Sequence, residues 1–312
     1  MRVYRGFDAY PARPVPAAAA IGNFDGLHPG HLKILDRLKS EAGEGGWRSL
    51  VLTFDPHPAR VFGHRKNFRL IQTLPQRLEG LKSLGIEAVL IVPFDAALPN
   101  LSPKEFVDDI LIRRLRARAV VVGRGFRFGR GRTGGAADLG KNARESGAIV
   151  VVVPPVIRQG RIVSSTIIRD ALGHGQVAQA AARLGRPYEI TGRVVRGCGR
   201  GSDLGFPTAN ILSDNEILPE GVFVTQVRAG RRILAAMTSI GTCPTFGGAS
   251  LSVESHLLGF SGILYDTPLR IRFLEKIRSQ RVFPNPEALR EQLVADRKRT
   301  ERYFRRLDIR TA

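Results

Sequence analysis

The first half of the chain alternates short apolar runs with segments of helical pattern. The runs, rich in Val, Ile and Ala, cover residues 17–21, 49–54, 88–94, 119–123 and 148–153. Helical patterns lie between them at residues 31–42, 76–84, 103–115 and 136–146. Runs that are apolar on both faces are typical of parallel strands covered by helices. We therefore predict an α/β fold with a doubly wound parallel sheet, which binds ligands at the carboxyl ends of its strands.

The pattern changes after Gly185-Arg186-Pro187. Alternating segments bounded by Gly and Pro follow at residues 189–195, 221–230, 231–241, 251–260 and 269–278, which indicates an antiparallel barrel or sandwich. A final amphipathic helix, from residue 286 to about 307, places Leu289, Leu293 and Tyr303 on one stripe. The 312 residues suffice for two cores, so we predict two domains, at residues 1–184 and 185–312.

The charge of the chain narrows its possible partners. A formal net charge of +20 implies an anionic partner, which can be a nucleic acid, an anionic membrane or phosphorylated small molecules. The arginines are spread along the chain and few alternate with aromatic residues, which favours small molecules over nucleic acid. No apolar run approaches the roughly 20 residues of a membrane span, and the first residues lack the order of a signal peptide. We expect a cytoplasmic protein with no membrane partner.

A glycine-rich loop, GNFDGLHPGH at residues 22–31, follows the first apolar run and opens the first predicted helix. Its glycines let the backbone approach a ligand, and a helix N-terminus favours phosphate. His28 and His31 are three residues apart, so both imidazoles can reach one point and stabilise charge that develops on an α-phosphate. The alternative is a tight turn in which the histidines serve as helix caps.

Three further segments follow predicted strands. The hydroxyls of Ser164, Ser165 and Thr166 precede a helix predicted from residue 170, where they can bind phosphate or merely cap the helix. Arg169, in the first turn, can grip the β- and γ-phosphates. Residues 53–58, TFDPHP, end the second run, and residues 123–135, GRGFRFGRGRTGG, end the fourth. The latter segment suits a planar aromatic ligand that carries phosphate, the alternative being a solvated turn.

In this order the four segments resemble the adenylyltransferase module of bacterial bifunctional riboflavin kinase/FAD synthetases, with its HxGH and SSTxIR motifs. The resemblance implies transfer of AMP from ATP to FMN with Mg2+, giving FAD and pyrophosphate. It implies catalytic roles for His28, His31 and Arg169, and an ATP site formed by Gly22, Phe24, Asp25, Gly26, Gly30, Ser164, Ser165 and Thr166. It places Phe54, Pro56, His57, Phe126, Arg127 and Phe128 near the flavin or the adenine. Gly125 stands where the family usually has Asp or Asn.

The second half carries its own candidate site. Backbone amides in residues 197–210, GCGRGSDLGFPTAN, can cradle phosphates, and the Thr208 hydroxyl and Asn210 amide oxygen can reach one hard cation. A hairpin followed by a turn is the alternative. Glu254 lies in a predicted strand with His256 on the same face. It can take a proton from a substrate hydroxyl, or it is an ordinary solvent-facing carboxylate.

GFPTAN, IGTCPTFGG, VESHLL and IRSQRVF resemble the riboflavin kinase module of the same family. The resemblance implies a six-stranded barrel that transfers the γ-phosphate of ATP to the riboflavin 5′-hydroxyl. Thr208 and Asn210 would bind Mg2+, Glu254 would be the base, and Phe246 and Arg278 would lie near the flavin. The ATP of this site would meet Gly201, Leu204, Gly205, Phe206, Pro207 and Thr208. Gln280 replaces a frequent Glu and Gly259 a frequent Asp, and we expect both to be peripheral.

We therefore expect a bifunctional enzyme that makes FMN and FAD, with riboflavin, FMN and ATP as partners and Mg2+ as cofactor. One alternative, prompted by Gly125, is a riboflavin kinase with weak or lost adenylyltransferase activity. The other is a basic protein derived from the enzyme that binds nucleic acid or senses flavin.

Overall fold

The computed structural model describes residues 1–61, 68–94, 100–197, 201, 204–242 and 251–306. The chain divides into two compact units, Met1–Phe68 with Leu74–Ser164, and Arg69–Thr73 with Ser165–Ala312. Phe246, expected near the flavin, lies outside the described residues. None of the described helices is both long enough and apolar enough to cross a membrane.

The first unit is built on a six-stranded sheet in which every pairing is parallel. The strands are β1 (Arg2–Arg5), β2 (Ala17–Ile21), β3 (Arg48–Phe54), β4 (Ala88–Val92), β5 (Ala117–Gly123) and β6 (Ile149–Val153), in the spatial order β1-β4-β3-β2-β5-β6. The doubly wound prediction is confirmed. The order in which the strands follow along the chain reverses between β2 and β5, so the crevice at their carboxyl ends is the expected ligand site.

Strand β1 was not predicted, because its four residues RVYR carry no apolar run. It pairs with β4 at the sheet edge. The other strands match the predicted runs within two residues at each end. Alternate side chains of the inner strands enter two cores, one on each face of the sheet, with Leu50 and Leu90 in one and Val51 and Val89 in the other. This explains why the runs are apolar throughout.

Helices cover the sheet of the first unit. They are α1 (Pro29–Gly45), α2 (Pro58–Val61), α3 (Leu74–Ser83), α4 (Pro103–Glu105) and α5 (Ala136–Glu145). The helix predicted at residues 103–115 is α-helical only at its start, where Ser102 and Glu105 form a capping box, and it continues as a π-helix, Phe106–Arg114. A 3-10 turn (Arg130–Arg132) and a short hairpin of β7 (Ile157–Arg158) and β8 (Arg161–Ile162) complete the unit.

The second unit contains a closed barrel of six antiparallel strands, which confirms that prediction. The strands are β9 (Tyr188–Val195), β10 (Ala209–Ser213), β11 (Gly221–Ala229), β12 (Arg232–Thr242), β13 (Leu251–Leu257) and β14 (Pro268–Arg278). The alternating segments predicted five of them. Strand β10 was missed, because it begins inside the PTAN motif that we took for a possible turn.

In the described residues of the second unit the helices are α6 (Ser165–Gly173), α7 (Val177–Leu184) and α8 (Pro286–Arg306). Helix α6 begins at Ser165, not at residue 170, so Arg169 lies in its second turn and the expected first-turn position is wrong. Helix α7 packs against β9 and β14. Helix α8 buries Asp296, Thr300 and Phe304, whereas the predicted stripe of Leu289, Leu293 and Tyr303 is only half-buried.

Candidate active sites

The loop of residues 22–31 leaves the carboxyl end of β2, at the sheet's switch point. Its backbone turns sharply, with positive φ at Phe24 (50°), Gly26 (90°) and Leu27 (40°). Phe24 and Leu27 are buried in the core, and Asp25 in the same loop is 1% exposed. A Cβ on Gly22 would lie 3.3 Å from the Phe24 ring, so the loop backbone is closely packed at its first residue.

The two histidines of this loop lie side by side at the start of α1. Their rings are stacked, with centroids 3.7 Å apart and planes 18° apart. His28 is the N-cap residue of α1, where its Nδ1 accepts a long hydrogen bond of 3.4 Å from the His31 backbone N–H. A Cβ on Gly30 would lie 3.1 Å from the His28 ring, so the arrangement leaves little room for a side chain at this residue. His28 therefore caps the helix, and its ring also lies beside that of His31, so the two interpretations of the sequence are compatible.

The segment that follows β3 lies beside this loop in the sheet order. Phe54 contacts Phe94 edge-to-face, with ring centroids 5.4 Å apart. Pro56 follows a cis peptide bond and is exposed. His57 is buried, its Nδ1 accepts a 3.1 Å hydrogen bond from the Ala59 N–H, and its ring lies 4.4 Å from that of Phe68. Both Phe54 and His57 therefore contact a phenylalanine ring.

The segment after β5 presents the aromatic pair expected from the sequence. Phe126 and Phe128 are stacked, with centroids 5.5 Å apart. Phe128 is 6% exposed and packs on Phe106, so Phe126 is the more accessible of the two rings. Arg127 is exposed, and so is Gly125, where a Cβ would meet no atom within 4 Å. The missing Asp or Asn side chain of the family would therefore have room at residue 125.

The hydroxyl motif spans the division between the units. Ser164 is the last residue of the first unit, and Ser165, Thr166 and Arg169 belong to α6 of the second. Within α6, Thr166 is exposed, while Ser165 and Arg169 are half-buried.

In the barrel, strand pairing brings two candidate residues together. Asn210 of β10 lies directly opposite Glu254 of β13 in the strand register. Facing side chains of such a pair have Cβ atoms about 4.5–5.5 Å apart. Glu254 is also opposite Ser239 of β12, and it is half-buried. The pairing places a carboxylate beside an amide and near Thr208, which immediately precedes β10.

The glycine-rich segment passes close to these polar groups. A Cβ on Gly197 would lie 2.0 Å from Nδ2 of Asn210, and one on Gly201 would lie 3.3 Å from Oγ1 of Thr208. Gly201 also accepts a 2.8 Å hydrogen bond from the Phe206 N–H. Side chains at either glycine would fill the space next to the candidate cation ligands. Leu204 is half-buried, and Gly205 and Pro207 are exposed.

His256 attaches the GFPTAN segment to the barrel. Its Nδ1 donates a 2.9 Å hydrogen bond to the Pro207 carbonyl, and its ring meets the buried Phe206 ring edge-to-face, with centroids 5.3 Å apart. Because His256 is 7% exposed, we assign it to holding the segment and not to contact with substrate. Its position two residues from Glu254 agrees with the shared face expected from the sequence.

Arg278 is held at the end of β14 by an acid that sequence reasoning missed. Its Nε lies 2.8 Å from Oδ2 of Asp296, a buried carboxylate on α8, and its guanidinium lies 5.5 Å from the Phe283 ring centroid. Beside this group a cleft of about 460 Å³ is lined by residues that include Arg281, Phe283 and Gln292. No signal in the sequence distinguishes Asp296 from other helix acids.

The two departures from the family pattern in the barrel differ in their surroundings. Nε2 of Gln280 donates to Oγ of Ser239 at 2.8 Å and to the Ile240 carbonyl at 3.1 Å. Since Ser239 is the register partner of Glu254, Gln280 is nearer the site than expected. Gly259 is exposed, and a Cβ there would meet no atom within 4 Å.

The donor groups of the barrel suit a small hard cation. No group of three or more His, Cys, Asp or Glu residues in the described part of the chain could hold a metal ion. Thr208 and Asn210, two residues apart in the chain, offer a hydroxyl and an amide oxygen, and oxygen donors are what Mg2+ prefers.

Comparisons with known proteins find a matching family for each half of the chain. A family model described as FAD synthetase matches residues 11–167, and one described as riboflavin kinase matches residues 184–304. The bifunctional riboflavin kinase/FMN adenylyltransferase of Escherichia coli K12 is 33% identical over 97% of this chain and 98% of its own length. The protein of the same name from Bacillus subtilis is 34% identical over 92% of each chain. A solved structure described as a macrolide-efflux protein from Streptococcus pneumoniae shares the fold, with 28% identity and a TM-score of 0.88 over 96% of this chain and 99% of its own.

Proposed function

Because the chain belongs to the family of bifunctional riboflavin kinase/FMN adenylyltransferases, we propose that its barrel makes FMN and its parallel-sheet unit makes FAD. Both reactions use ATP. We place the boundary between the two catalytic domains between residues 184 and 185, because the first barrel strand begins at Tyr188. All substrates and products except riboflavin are anionic, which accounts for a net charge of +20 without nucleic acid.

In the barrel, Glu254 acts as the base. The riboflavin 5′-hydroxyl oxygen attacks the γ-phosphorus of ATP, its proton goes to Glu254, and ADP leaves. Thr208 and Asn210 hold Mg2+, which supplies charge neutralisation at the phosphates when bound. Residues 201 and 204–208 hold the ATP. The observation that carries this assignment is the register pairing of Asn210 with Glu254, which puts the metal ligand beside the base.

In the parallel-sheet unit, the FMN phosphate attacks the α-phosphorus of ATP, and pyrophosphate leaves. His28 and His31 donate hydrogen bonds to the charge that develops on the α-phosphate, as their stacked, parallel rings at a helix N-terminus favour. We assign the backbone amides of residues 22–30 and the hydroxyl of Ser164 to the phosphates of ATP. The hydroxyls of Ser165 and Thr166 and the guanidinium of Arg169 are assigned to the same phosphates from the family motif alone. No general base is required, because the attacking phosphate oxygen is already ionised.

Each site needs a surface for the flavin ring. For adenylyl transfer we assign this role to Phe54 at the end of β3, to Pro56 and His57 after it, and to residues 126–128 after β5, which all lie at the carboxyl edge of the sheet. For the kinase we assign it to Arg278 and Phe246. The cleft of about 460 Å³ next to Phe283 is large enough for a ring system of this size.

A time course from riboflavin, ATP and Mg2+ tests the proposal, with FMN and FAD separated by chromatography. We expect FMN to rise first and FAD to follow from it. FMN without FAD would leave a riboflavin kinase alone, the outcome to which Gly125 points. Absence of both products would contradict the assignment, and steeply salt-dependent binding of RNA or DNA would then favour a nucleic-acid-binding protein.

A further inference from the structure

Helix α3 contains a buried arginine that belongs to none of the motifs. We propose that Arg77 is a positioning residue for adenylyl transfer, which holds the loop of residues 22–31 through the backbone carbonyl of Asn23. The inference rests on the proposed role of that loop. It adds α3 to the machinery of the reaction.

Arg77 makes a direct contact with the loop. Its side chain is 2% exposed, and an Nη1–H donates a hydrogen bond of 2.6 Å to the Asn23 carbonyl. The Thr53 hydroxyl, near the end of β3, donates to the same oxygen at 3.3 Å. Arginine is among the residues least often buried, since desolvation of its charge is costly. A buried arginine on this helix therefore needs a reason, and the loop carbonyl supplies one.

Two carboxylates compensate for the burial of this charge. Burial lowers the pKa of Arg77, and the nearby carboxylates of Asp25 and Asp55 raise it in part. An arginine guanidinium stays protonated in proteins. Asp25 belongs to the loop itself, and Asp55 directly follows β3. The cation thus lies where the loop after β2 and the segment after β3 meet.

The loop needs such support because of its backbone. Phe24 and Leu27 have φ values of 50° and 40°, in the left-handed region that costs non-glycine residues about 1–3 kcal/mol each. Conformations of this kind persist where the surrounding structure holds them. Burial of the two side chains is one restraint, and the hydrogen bonds to the Asn23 carbonyl, between Gly22 and Phe24, are another.

The same face of α3 meets the loop a second time. Gly80 lies three residues after Arg77, on the same side of the helix. A Cβ at Gly80 would lie 2.3 Å from Cδ1 of Leu27, so glycine lets the loop approach the helix closely. Leu27 immediately precedes His28, the N-cap of α1. A shift of Asn23 or Leu27 would therefore move the imidazole pair.

The test compares three variants of the full-length protein. Arg77→Met removes the donor, Arg77→Lys keeps a cation and a donor, and Lys82→Met removes an exposed cation from the same helix as a matched control. For each variant, FMN-to-FAD turnover, the KM for ATP, riboflavin kinase turnover and the unfolding temperature are measured. Riboflavin kinase turnover reports whether the barrel unit is folded, and the unfolding temperature reports on the unit that contains Arg77.

We expect Arg77→Met to lower kcat for FAD synthesis about 10- to 100-fold, with a change in the KM for ATP of less than about 3-fold, since misplacement by 1 Å costs on this order. Arg77→Lys should recover at least half of that loss on a logarithmic scale, and Lys82→Met should match the wild type. Gly80→Ala, which retains the guanidinium, should lower the same kcat.

Wild-type FAD synthesis by Arg77→Met would overturn the inference. So would a loss of FAD synthesis that riboflavin kinase activity shares in equal measure, because that result indicates a general loss of folding. If the wild type itself makes no FAD, it is the proposed function that fails. The two failures are therefore distinguishable.

Discussion

At the scale of single residues, the buried pair of Arg278 and Asp296 offers a test of how the proposed flavin site of the kinase is held. The side chains are 16% and 2% exposed, so the loss of one charge leaves the other poorly solvated. Asp296→Ala should lower the free energy of unfolding by about 2–4 kcal/mol, near the lower part of the range for broken buried pairs. Denaturant unfolding measures it.

The matched control for this prediction is Glu301→Gln. Glu301 lies on the same helix and forms an exposed ion pair with Arg297. It should change stability by less than about 0.5 kcal/mol. Equal changes in the free energy of unfolding for the two substitutions would show that the pair of Arg278 and Asp296 stabilises the protein no more than an exposed ion pair does.

A second residue-scale prediction concerns Gly125. The position is exposed and open, so Gly125→Asn should leave the stability within about 0.5 kcal/mol of the wild type. If the family's side chain bonds the flavin, the variant should lower the KM for FMN in FAD synthesis several-fold, since one such hydrogen bond contributes about 0.5–1.5 kcal/mol. Steady-state kinetics with FMN as the varied substrate decides this. An unchanged KM would remove residue 125 from flavin binding.

Some of the residues in the candidate sites could be predicted from the sequence, and others could not. The neighbouring imidazoles of His28 and His31 and the common strand of Glu254 and His256 could be predicted, because these arrangements depend on local spacing and strand alternation. Arg77 and Asp296 could not, since their roles come from packing against segments 54 and 18 residues away in the chain. Whether one charged residue of a helix is buried cannot be recognised from the residues next to it in the sequence.

At the scale of elements, a buried chain of hydroxyls joins three barrel strands. The hydroxyl oxygens of Thr225 on β11 and Thr238 on β12 are 2.6 Å apart. Those of Thr238 and Ser255 on β13 are 2.8 Å apart. All three side chains are 0% exposed. Thr238→Val should lower the free energy of unfolding by about 1–3 kcal/mol, because it leaves two buried hydroxyls without their shared partner.

The triple substitution of Thr225 and Thr238 by Val and Ser255 by Ala provides the control. Replacement of every member by an apolar group removes the unsatisfied hydroxyls, so the triple variant should be more stable than Thr238→Val alone. Thermal unfolding of both proteins measures the difference. A triple variant less stable than the single one would contradict the hydroxyl chain as the cause.

The elements that were missed have physical reasons in common. Strand β1 and strand β10 are short and only partly apolar, and they are strands because they pair with longer neighbours, β1 with β4 and β10 with β9 and β13. The π-helix after Glu105 has the same apolar residues as an α-helix would, so its wider turn is not evident from periodicity. Tertiary pairing decides such elements, while long, strongly patterned elements follow from sequence.

At the scale of the whole molecule, the two proposed reactions should both need a divalent cation. Chelation with EDTA should abolish both FMN and FAD formation, and Mg2+ should restore both, because phosphoryl and adenylyl transfer depend on neutralisation of phosphate charge. Product analysis before and after addition of Mg2+ measures this. Undiminished FMN formation in EDTA would remove the cation role of Thr208 and Asn210.

The central claim is that one chain carries two separate catalytic sites, and crossed variants test it most directly. Glu254→Gln and His31→Ala are each assayed with riboflavin, for FMN, and with FMN, for FAD. We expect Glu254→Gln to lose FMN formation and still convert FMN to FAD, and His31→Ala to do the reverse. Equal loss of both reactions in either folded variant would contradict it.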